Sequence, residues 1–292
     1  MEGRQDRLDK TFMQLMDRLQ DKIKEHATPA STGGGFHDSW SAHQLQQSYL
    51  LGPVEAAEKV FKGAHCPSNA PVKKYDVVAI NVEITLNQWG DYYPGYTYAL
   101  KNDIAKIRAE EKKNEAAREE DLDPGAVTNG LQGDAIQPLV IRANQGDCLR
   151  VTFSNELEDE DAGFQVNGSA MIISSSGLPA TAASAGAITV SGESQEFEWM
   201  IPIDEQEGSH TIQSHAGRDP SSLGLTGVMV VEPKGSKYLD PWDSKPMESG
   251  WEAMIVNDDD RDFREFVLVY HEVGDESFRP LNRFGEMIPQ RD

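Results

Sequence analysis

The sequence predicts a mainly β protein, folded as an antiparallel sandwich or barrel, with a helical extension at its N-terminus and one helical insertion. Three observations predict this class. Short segments alternate apolar and polar residues, as in Tyr75 to Leu86 (YDVVAINVEITL). Turns rich in Gly, Pro and Asn separate these segments. No strand–helix–strand spacing recurs, so a parallel α/β sheet is disfavoured.

The overall composition restricts the classes of partner. A chain of 292 residues can bury a sizeable core. Its net charge of −22 argues against binding nucleic acid, and favours solubility, a cationic partner or attraction of metal cations. No apolar run approaches the roughly 20 residues of a membrane span. The charged start, MEGRQDRLDKTF, predicts no signal-peptide core, so the compartment stays open: cytoplasmic, or exported with a partner.

Residues 1–70 are predicted to form a helical N-terminal extension. Residues 5–25 have apolar side chains at the spacing of one helix face. This stripe consists of Leu8, Phe12, Leu15, Met16, Leu19 and Ile23. Such a helix must bury its stripe on its own body or on a neighbouring subunit, which predicts a protein partner chain or a homo-oligomer. A second helix is expected over Val54 to Lys62, after Pro53 and before Gly63.

The two cysteines, Cys66 and Cys148, are too few for a disulfide framework. Cys148 lies in a strand-like run, so we expect it to be a small buried hydrophobe. Cys66 follows a histidine in a loop, where no second ligand has metal-site spacing. Neither cysteine is therefore expected to bind a metal.

The main β domain is expected over residues 71–234, with a helical insertion at about 102–120. In its first strand, Val78, Ile80, Val82 and Ile84 alternate with Val77, Ala79, Asn81 and Glu83. Asn102 to Glu120 is strongly helical by propensity, and its thin apolar stripe places it on the surface. Pro138 to Asn155 reads as strand, turn and strand. Further strands are predicted over Phe164 to Ile173 and Glu196 to Ile203.

Residues 235–292 are predicted to be a linker followed by a C-terminal strand. The strand is expected over Glu265 to Val273, EFVLVYHEV. One strand this near the end cannot form a domain alone. It therefore pairs with the sandwich or with a partner chain.

The stretch from Glu207 to Pro233 contains the candidate site. It reads as a strand (Ser209 to His215), a polar loop and a second strand (Gly227 to Glu232). Alternate residues of a strand share a face, so Gln213 and His215 point the same way. An H-x-H pair presents two imidazoles to a metal in this geometry, but here the first residue is glutamine. His210, on the opposite face, is expected to be structural or exposed.

The order of these segments resembles the N-terminal cupredoxin (plastocyanin-like) domain of multicopper oxidases, most of all the large manganese-oxidase-type members. The matching stretches are YDVVAINVEITLNQWGD, PLVIRANQGDCLRVTFSNEL, EGSHTIQSHAG, LGLTGVMVVEPKGSKYLDP and REFVLVYHEVGDE with LNRFGEMIP. The resemblance covers about Tyr75 to the C-terminus and implies a Greek-key cupredoxin-like fold. It implies, further, a lineage of oxidoreductases that pass electrons through copper to dioxygen.

In that family the first domain supplies copper ligands from two H-x-H pairs. The resemblance places these pairs on Gln165-Val166-Asn167 and Gln213-Ser214-His215. Three of the four ligand positions, Gln165, Asn167 and Gln213, are thus amides, and His215 is the one imidazole. A carboxamide is a hard, weak oxygen donor compared with imidazole. We expect the amides to bond to each other and to His215, leaving a degenerate site.

Three functions remain open on this resemblance. The first is a non-catalytic, structural cupredoxin subunit of an oxidase-type assembly. The second is a working copper-dependent oxidase component, with dioxygen as acceptor, whose cluster another chain completes with His215 as one ligand. The third is a repurposed barrel with a small-molecule pocket. Copper, with His215 as a ligand, is the one cofactor that the sequence suggests. No catalytic residue is assigned.

Overall fold

The computed structural model describes residues 66–119, 126–128, 133–168, 171–173, 179–180, 188–216, 223–258, 261–270 and 280–289. Both helices predicted within residues 1–70, and His271, lie outside this part of the chain. One α-helix and fifteen strands are described. The first strands are β1 (Val72–Thr85), β2 (Tyr92–Leu100), β3 (Leu139–Asn144), β4 (Cys148–Asn155), β5 (Ala162–Gly163), β6 (Gln165–Val166), β7 (Met171–Ile173) and β8 (Pro179–Ala180). The others are β9 (Ile188–Thr189), β10 (Ser194–Met200), β11 (Gly208–Gln213), β12 (Thr226–Glu232), β13 (Lys237–Leu239), β14 (Glu252–Val256) and β15 (Phe263–Phe266).

Two sheets form the body of the protein. The first has the order β2-β1-β4-β10-β7-β8, and the second has the order β3-β12-β11-β6. Their inner faces enclose one core, in which the rings of Tyr98, Phe153, Phe164 and Phe197 pack in edge-to-face and tilted contacts, with neighbouring centroids 5.6–6.2 Å apart. The predicted mainly β sandwich is confirmed. Its sheets are mixed, because the β1–β4 and β3–β12 pairs are parallel.

From Val77 to Ile80 both faces of β1 are buried. Val77 and Ala79 face the inner core, whereas Val78, Ile80 and Val82 join a second apolar cluster on the outer face. Helix α1 (Ile104–Glu119), preceded by a 3₁₀ turn at Lys101–Asp103, covers that outer face through Ile104 and Ile107. The predicted helical insertion on the surface is confirmed, and it lies between β2 and β3.

The structure corrects two strand predictions. Phe164 to Ile173 is not one strand, because β6 belongs to the second sheet and β7 to the first. Gly168, with φ +80°, lies in the turn that follows β6 and allows the chain to leave the second sheet. The C-terminal strand β15 begins at Phe263 and ends at Phe266, and residues 267–270 continue outside any strand.

A three-stranded sheet, β13-β14-β15, covers part of the outer face of the second sheet. Val267 and Val269, which follow β15, pack with Trp251 against Val140 and Val228. The C-terminal strand thus pairs with β14 of its own chain. The ranges 1–70, 71–234 and 235–292 stay predictions as domain boundaries.

The structure also corrects the role of the cysteines. Cys66 and Cys148 form a disulfide, with 82 residues of sequence separation. Cys148 is fully buried, as predicted, but as half of a cross-link rather than as a free thiol. The link is possible because β1 runs parallel to β4, with Val72 opposite Cys148, so the chain before β1 passes the start of β4. Such a pairing between distant segments leaves no local trace in the sequence.

Within the described residues, no helix is both long enough and apolar enough to cross a membrane.

Candidate functional site

The four positions that the resemblance assigns to copper ligands lie together at one edge of the second sheet. β6 and β11 are antiparallel neighbours, with Gln165 opposite Gln213 and Val166 opposite Ile212. Val166 and Ile212 are buried in the inner core. Because successive side chains of a strand alternate, the two glutamines face outward. We call Gln165, Asn167, Gln213 and His215 the amide patch.

The amides of the patch bond across the two strands. The side-chain Nδ2 of Asn167 donates to Oε1 of Gln213 at 3.1 Å, and the backbone N–H of Asn167 donates to the Thr211 carbonyl at 2.9 Å. The predicted bond between amides is therefore present. Oε1 of Gln165, in contrast, is buried and has no hydrogen-bond partner among the described residues.

His215 follows the end of β11 and is exposed. No hydrogen bond joins it to the three amides in the described part of the chain. Ser214, between them, is buried, and its Oγ accepts the Gly163 N–H at 2.8 Å. The burial of Ser214 agrees with the alternation predicted for Gln-Ser-His. The alternation does not predict that Ser214 also links the end of β11 to the core through its hydrogen bond with Gly163.

The donors of the amide patch do not fit a copper cluster. Imidazole nitrogen suits copper in both its oxidation states, whereas a neutral amide oxygen is a weak ligand for it. Asn167 already donates to the oxygen with which Gln213 would bind. A single exposed imidazole remains, and one histidine cannot hold several metal ions. These four residues thus form a polar surface and not a preformed metal centre.

His210 has a structural position beside the patch, as the sequence predicts. It is half-buried, and its Nδ1 lies 3.1 Å from the carbonyl oxygen of Asn167. Its Nε2 lies 3.9 Å from Oε1 of Glu205. His210 thereby connects the turn after β6 to the strand β11.

In the described residues, one group of three His, Cys, Asp or Glu side chains has ligand atoms within 4.8 Å of one another. It consists of Cys66, Cys148 and Glu198. Both sulfurs are used in the disulfide, and Oε1 of Glu198 accepts the Cys66 N–H at 3.2 Å. With the disulfide formed, Cys66 is therefore held to Cys148 by a covalent bond and to Glu198 by a hydrogen bond.

A second polar group, which the sequence analysis did not single out, lies between the second sheet and β13–β15. Arg142 of β3 is fully buried. Its Nη2 and Nε donate to Oε1 of Glu265 at 2.6 and 3.1 Å, and its Nη1 donates to the Gly250 carbonyl at 2.9 Å. Nε also lies 3.9 Å from Glu232. An arginine inside the apolar run PLVIRA is the local signal that could have indicated a buried ion pair.

This buried polar cluster comprises Tyr75, Arg142, Asn144, Glu232, Tyr238 and Glu265. The Tyr75 hydroxyl donates to the Arg142 carbonyl at 2.7 Å, and the Tyr238 hydroxyl donates to Asn144. Burial raises the pKa of Tyr75 to about 12. Burial, together with the hydrogen bond and negative charge of Glu265, raises the pKa of Glu232 to about 8, against the opposing effect of Arg142. Glu232 therefore binds a proton more tightly than an ordinary carboxyl group does, and it lies in the cluster that connects the second sheet to β13–β15.

No known protein-family profile matches the chain, and no curated protein matches it in sequence. Solved structures do resemble it. A multi-copper oxidase from Pseudomonas thermotolerans is 19% identical, with a TM-score of 0.36 over 58% of this chain and 31% of that one. A second multicopper oxidase is 16% identical, with a TM-score of 0.36 over 67% and 57%. A copper nitrite reductase from Nitrosomonas europaea is 12% identical, with a TM-score of 0.34 over 56% and 42%. The chain thus spans between a third and somewhat more than half of the length of these proteins.

Proposed function

We propose that this chain is a cupredoxin-like module of the multicopper-oxidase type that holds no copper by itself and has a structural role in a larger assembly. The hydrogen bond between Asn167 and Gln213 carries this proposal. It joins two positions at which the resemblance implies imidazoles, and it occupies the Gln213 oxygen through which that side chain would bind a metal. The order of the matching sequence segments and the pairing of β6 with β11 support the cupredoxin relationship.

An exposed aromatic face supports the larger assembly. The segment from β15 to residue 270 alternates, with Val267 and Val269 directed towards the sandwich and Phe266, Leu268 and Tyr270 towards solvent. Tyr270 is 82% exposed. Trp242 and Phe263 are exposed as well, and Arg264 lies over the Trp242 ring at 5.6 Å. Clustered exposed aromatic residues with an arginine are typical of protein interfaces.

Co-purification and light scattering test the structural role. We expect the chain to elute with a protein partner or as an oligomer. Leu268→Asp combined with Tyr270→Asp should release that partner, whereas Trp89→Ser, which changes an exposed aromatic residue on the β1–β2 turn, should not. A chain that stays monomeric from its natural source, with no partner, contradicts the role.

The exposure of His215 favours one second candidate, an oxidase whose copper cluster is completed by another chain. A solvent-facing imidazole can supply a ligand to a metal held mainly by a partner. His215→Ala should then abolish oxidase activity of the isolated complex. Unchanged turnover of that variant excludes this candidate and leaves the structural role standing.

A further inference from the structure

Cys66, Cys148 and Glu198 bring together the donor types of a zinc site, away from the amide patch. Their ligand atoms, two sulfurs and one carboxylate oxygen, lie within 4.8 Å of one another, and the Cα atoms of the two cysteines are 5.5 Å apart. Zinc bonds to thiolate sulfur at about 2.3 Å and to carboxylate oxygen at about 2.0–2.2 Å. Three donors this close together can reach one ion once the two sulfurs are no longer bonded to each other.

The pairing of β4 with β10 directs one sulfur and the carboxylate to the same side of the first sheet. Leu149 of β4 stands opposite Trp199 of β10, and both side chains lie in the inner core. Because successive side chains of a strand alternate, the neighbouring Cys148 and Glu198 face outward. Cys66 meets them there from the segment that precedes β1.

Hydrogen bonds hold the two cysteines close together independently of the disulfide. The backbone N–H of Cys148 donates to the Pro71 carbonyl at 2.7 Å, which fixes the chain before β1 beside the start of β4. The backbone N–H of Cys66 donates to Oε1 of Glu198 at 3.2 Å. Reduction of the disulfide therefore leaves both sulfurs near the carboxylate.

Arg150 orients the carboxylate of Glu198. Its Nε donates to Oε2 of Glu198 at 2.7 Å, so that Oε1 is the oxygen turned towards Cys66. The Glu198 side chain is 15% exposed, which limits the number of other positions that it can adopt. Carboxylates that bind metals are in turn hydrogen-bonded by outer partners of this kind. Arg150 is therefore a positioning residue for the candidate ligand.

The charges and the donor atoms select the class of cation. Two thiolates and the Glu198 carboxylate carry three negative charges, which one divalent cation and Arg150 balance together. Calcium and magnesium require oxygen ligands, so the two sulfurs disfavour them. Cuprous ion prefers thiolate and thioether donors, so the carboxylate adds little for it. A mixed set of sulfur and carboxylate donors suits zinc.

We propose that Cys66, Cys148 and Glu198 bind a zinc-type divalent cation when the disulfide is reduced. Three protein ligands leave the fourth tetrahedral position to water. The metal then joins the chain before β1 to β4 and β10, where the oxidised protein has its disulfide. The site uses none of the residues of the amide patch, so it stands whether or not the proposed structural role holds.

The change between the two forms is an exchange with a dithiol. Cys148 is fully buried and Cys66 is half-buried, so the reductant's thiolate attacks Sγ of Cys66 and releases Cys148. The second thiol of the reductant then displaces Cys66 and closes a disulfide within the reductant. Two electrons and two protons pass from the dithiol to the two cysteines. Zinc binding displaces these two protons from the thiols.

Zinc titration of the full chain in both redox forms tests the site. The chain is reduced with a dithiol, freed from it by gel filtration without oxygen, and titrated with zinc against a chromophoric chelator. We expect one tightly bound zinc ion per reduced chain and none per oxidised chain, because only thiolates bind the metal. Equal binding by the two forms, absence of binding by the reduced form, or equally tight binding of calcium overturns the proposal.

Glu198→Gln tests the carboxylate while both cysteines stay in place. It should weaken zinc binding by the reduced chain at least about tenfold, because a neutral amide is a weaker ligand than a carboxylate. Glu196→Gln is the matched control, since Glu196 is exposed two residues earlier on the same face of β10, and its affinity should equal that of the wild type. Unchanged affinity in Glu198→Gln, or cuprous ion displacing zinc equally well in both variants, overturns the three-ligand site.

Thermal unfolding of the reduced chain gives a second measurement. A ligand that binds the folded state raises the unfolding temperature. Zinc should therefore raise it in the reduced wild type and leave it unchanged in the double variant Cys66→Ser with Cys148→Ser. Zinc binding without this gain in the wild type would show that the metal does not join the three segments, which overturns the proposal.

Discussion

The amide patch and most of the buried polar cluster lie on the outer face of the second sheet, but within the described residues only the cluster is covered. Strands β13–β15 pack over β3 and β12, and Arg142 and Glu232 are buried there beside the partly buried Glu265. Over β11 and β6 none of the described strands covers the face, and Asn167 and His215 are exposed. Coverage makes each polar contact of the cluster necessary, because a buried charge must be paired. In the amide patch, replacing one polar side chain by another should change the unfolding free energy only slightly.

The largest effect should come from removing Arg142. Arg142→Met leaves Glu265 and Glu232 without their cation and the Gly250 carbonyl without its donor. Breaking a buried ion pair costs about 3–5 kcal/mol of unfolding free energy. Urea unfolding of Arg150→Met provides the control, since Arg150 pairs with Glu198 at the surface and should cost only about 0–1 kcal/mol. If the two variants lose equal amounts of unfolding free energy, a covered ion pair matters no more to stability than an exposed one, which contradicts the comparison.

The disulfide should have the next largest effect. It anchors the start of β4, one residue after Asp147, whose carboxylate accepts the Asn144 N–H at 2.9 Å beside the cluster. Closing a loop of 82 residues stabilises a fold by about 2–4 kcal/mol in typical cases. Cys66→Ser with Cys148→Ser should lower the unfolding free energy by that amount. A dithiol reductant should reproduce the loss in the wild type and change nothing in the double variant.

The pKa of Glu232 predicts a pH dependence of the covered region. This pKa is raised to about 8, whereas a carboxyl in the unfolded chain titrates near its ordinary value of about 4.3. The folded state therefore binds the proton more tightly. The resulting stabilisation is fully present below the ordinary pKa and is lost as the pH rises through about 8.

Urea unfolding between about pH 5 and pH 9 checks this sign. The unfolding free energy of the wild type should fall with pH relative to that of Glu232→Gln, in which the amide cannot ionise. Glu111→Gln, at a half-buried position outside the cluster where the carboxylate bonds to Arg108, is the matched control and should follow the wild type. Parallel pH profiles for wild type and Glu232→Gln would mean that Glu232 does not bind a proton in this range.

Substitutions in the amide patch should have the smallest effect. Asn167→Ala removes one side-chain bond at an exposed position, so it should change the unfolding free energy by no more than about 0.5 kcal/mol. Thermal unfolding measures this change. A loss of several kcal/mol would show that the open half of the face is as strongly coupled to the fold as the covered half.

Local patterns in the sequence predict the elements better than their pairing. The double alternation of β1 and the helical composition before Glu119 both lead to the observed structure. The assignment of β3 and β4 to different sheets, and the pairing of Cys66 with Cys148, depend on contacts between distant segments. The burial of Ser214 between the less buried Gln213 and His215 agrees with period-two alternation, which is local. No local sequence pattern indicates which half of the outer face β13–β15 would cover.

Copper content measures the central claim most directly, namely that amides now occupy positions built for imidazoles. The purified chain is loaded with copper, dialysed and analysed for metal, beside a variant that combines Gln165→His, Asn167→His and Gln213→His. We expect far less than stoichiometric copper in the wild type and a clear gain in the variant, since imidazole is the better ligand. Near-stoichiometric copper in the wild type that is lost in His215→Ala would contradict the account.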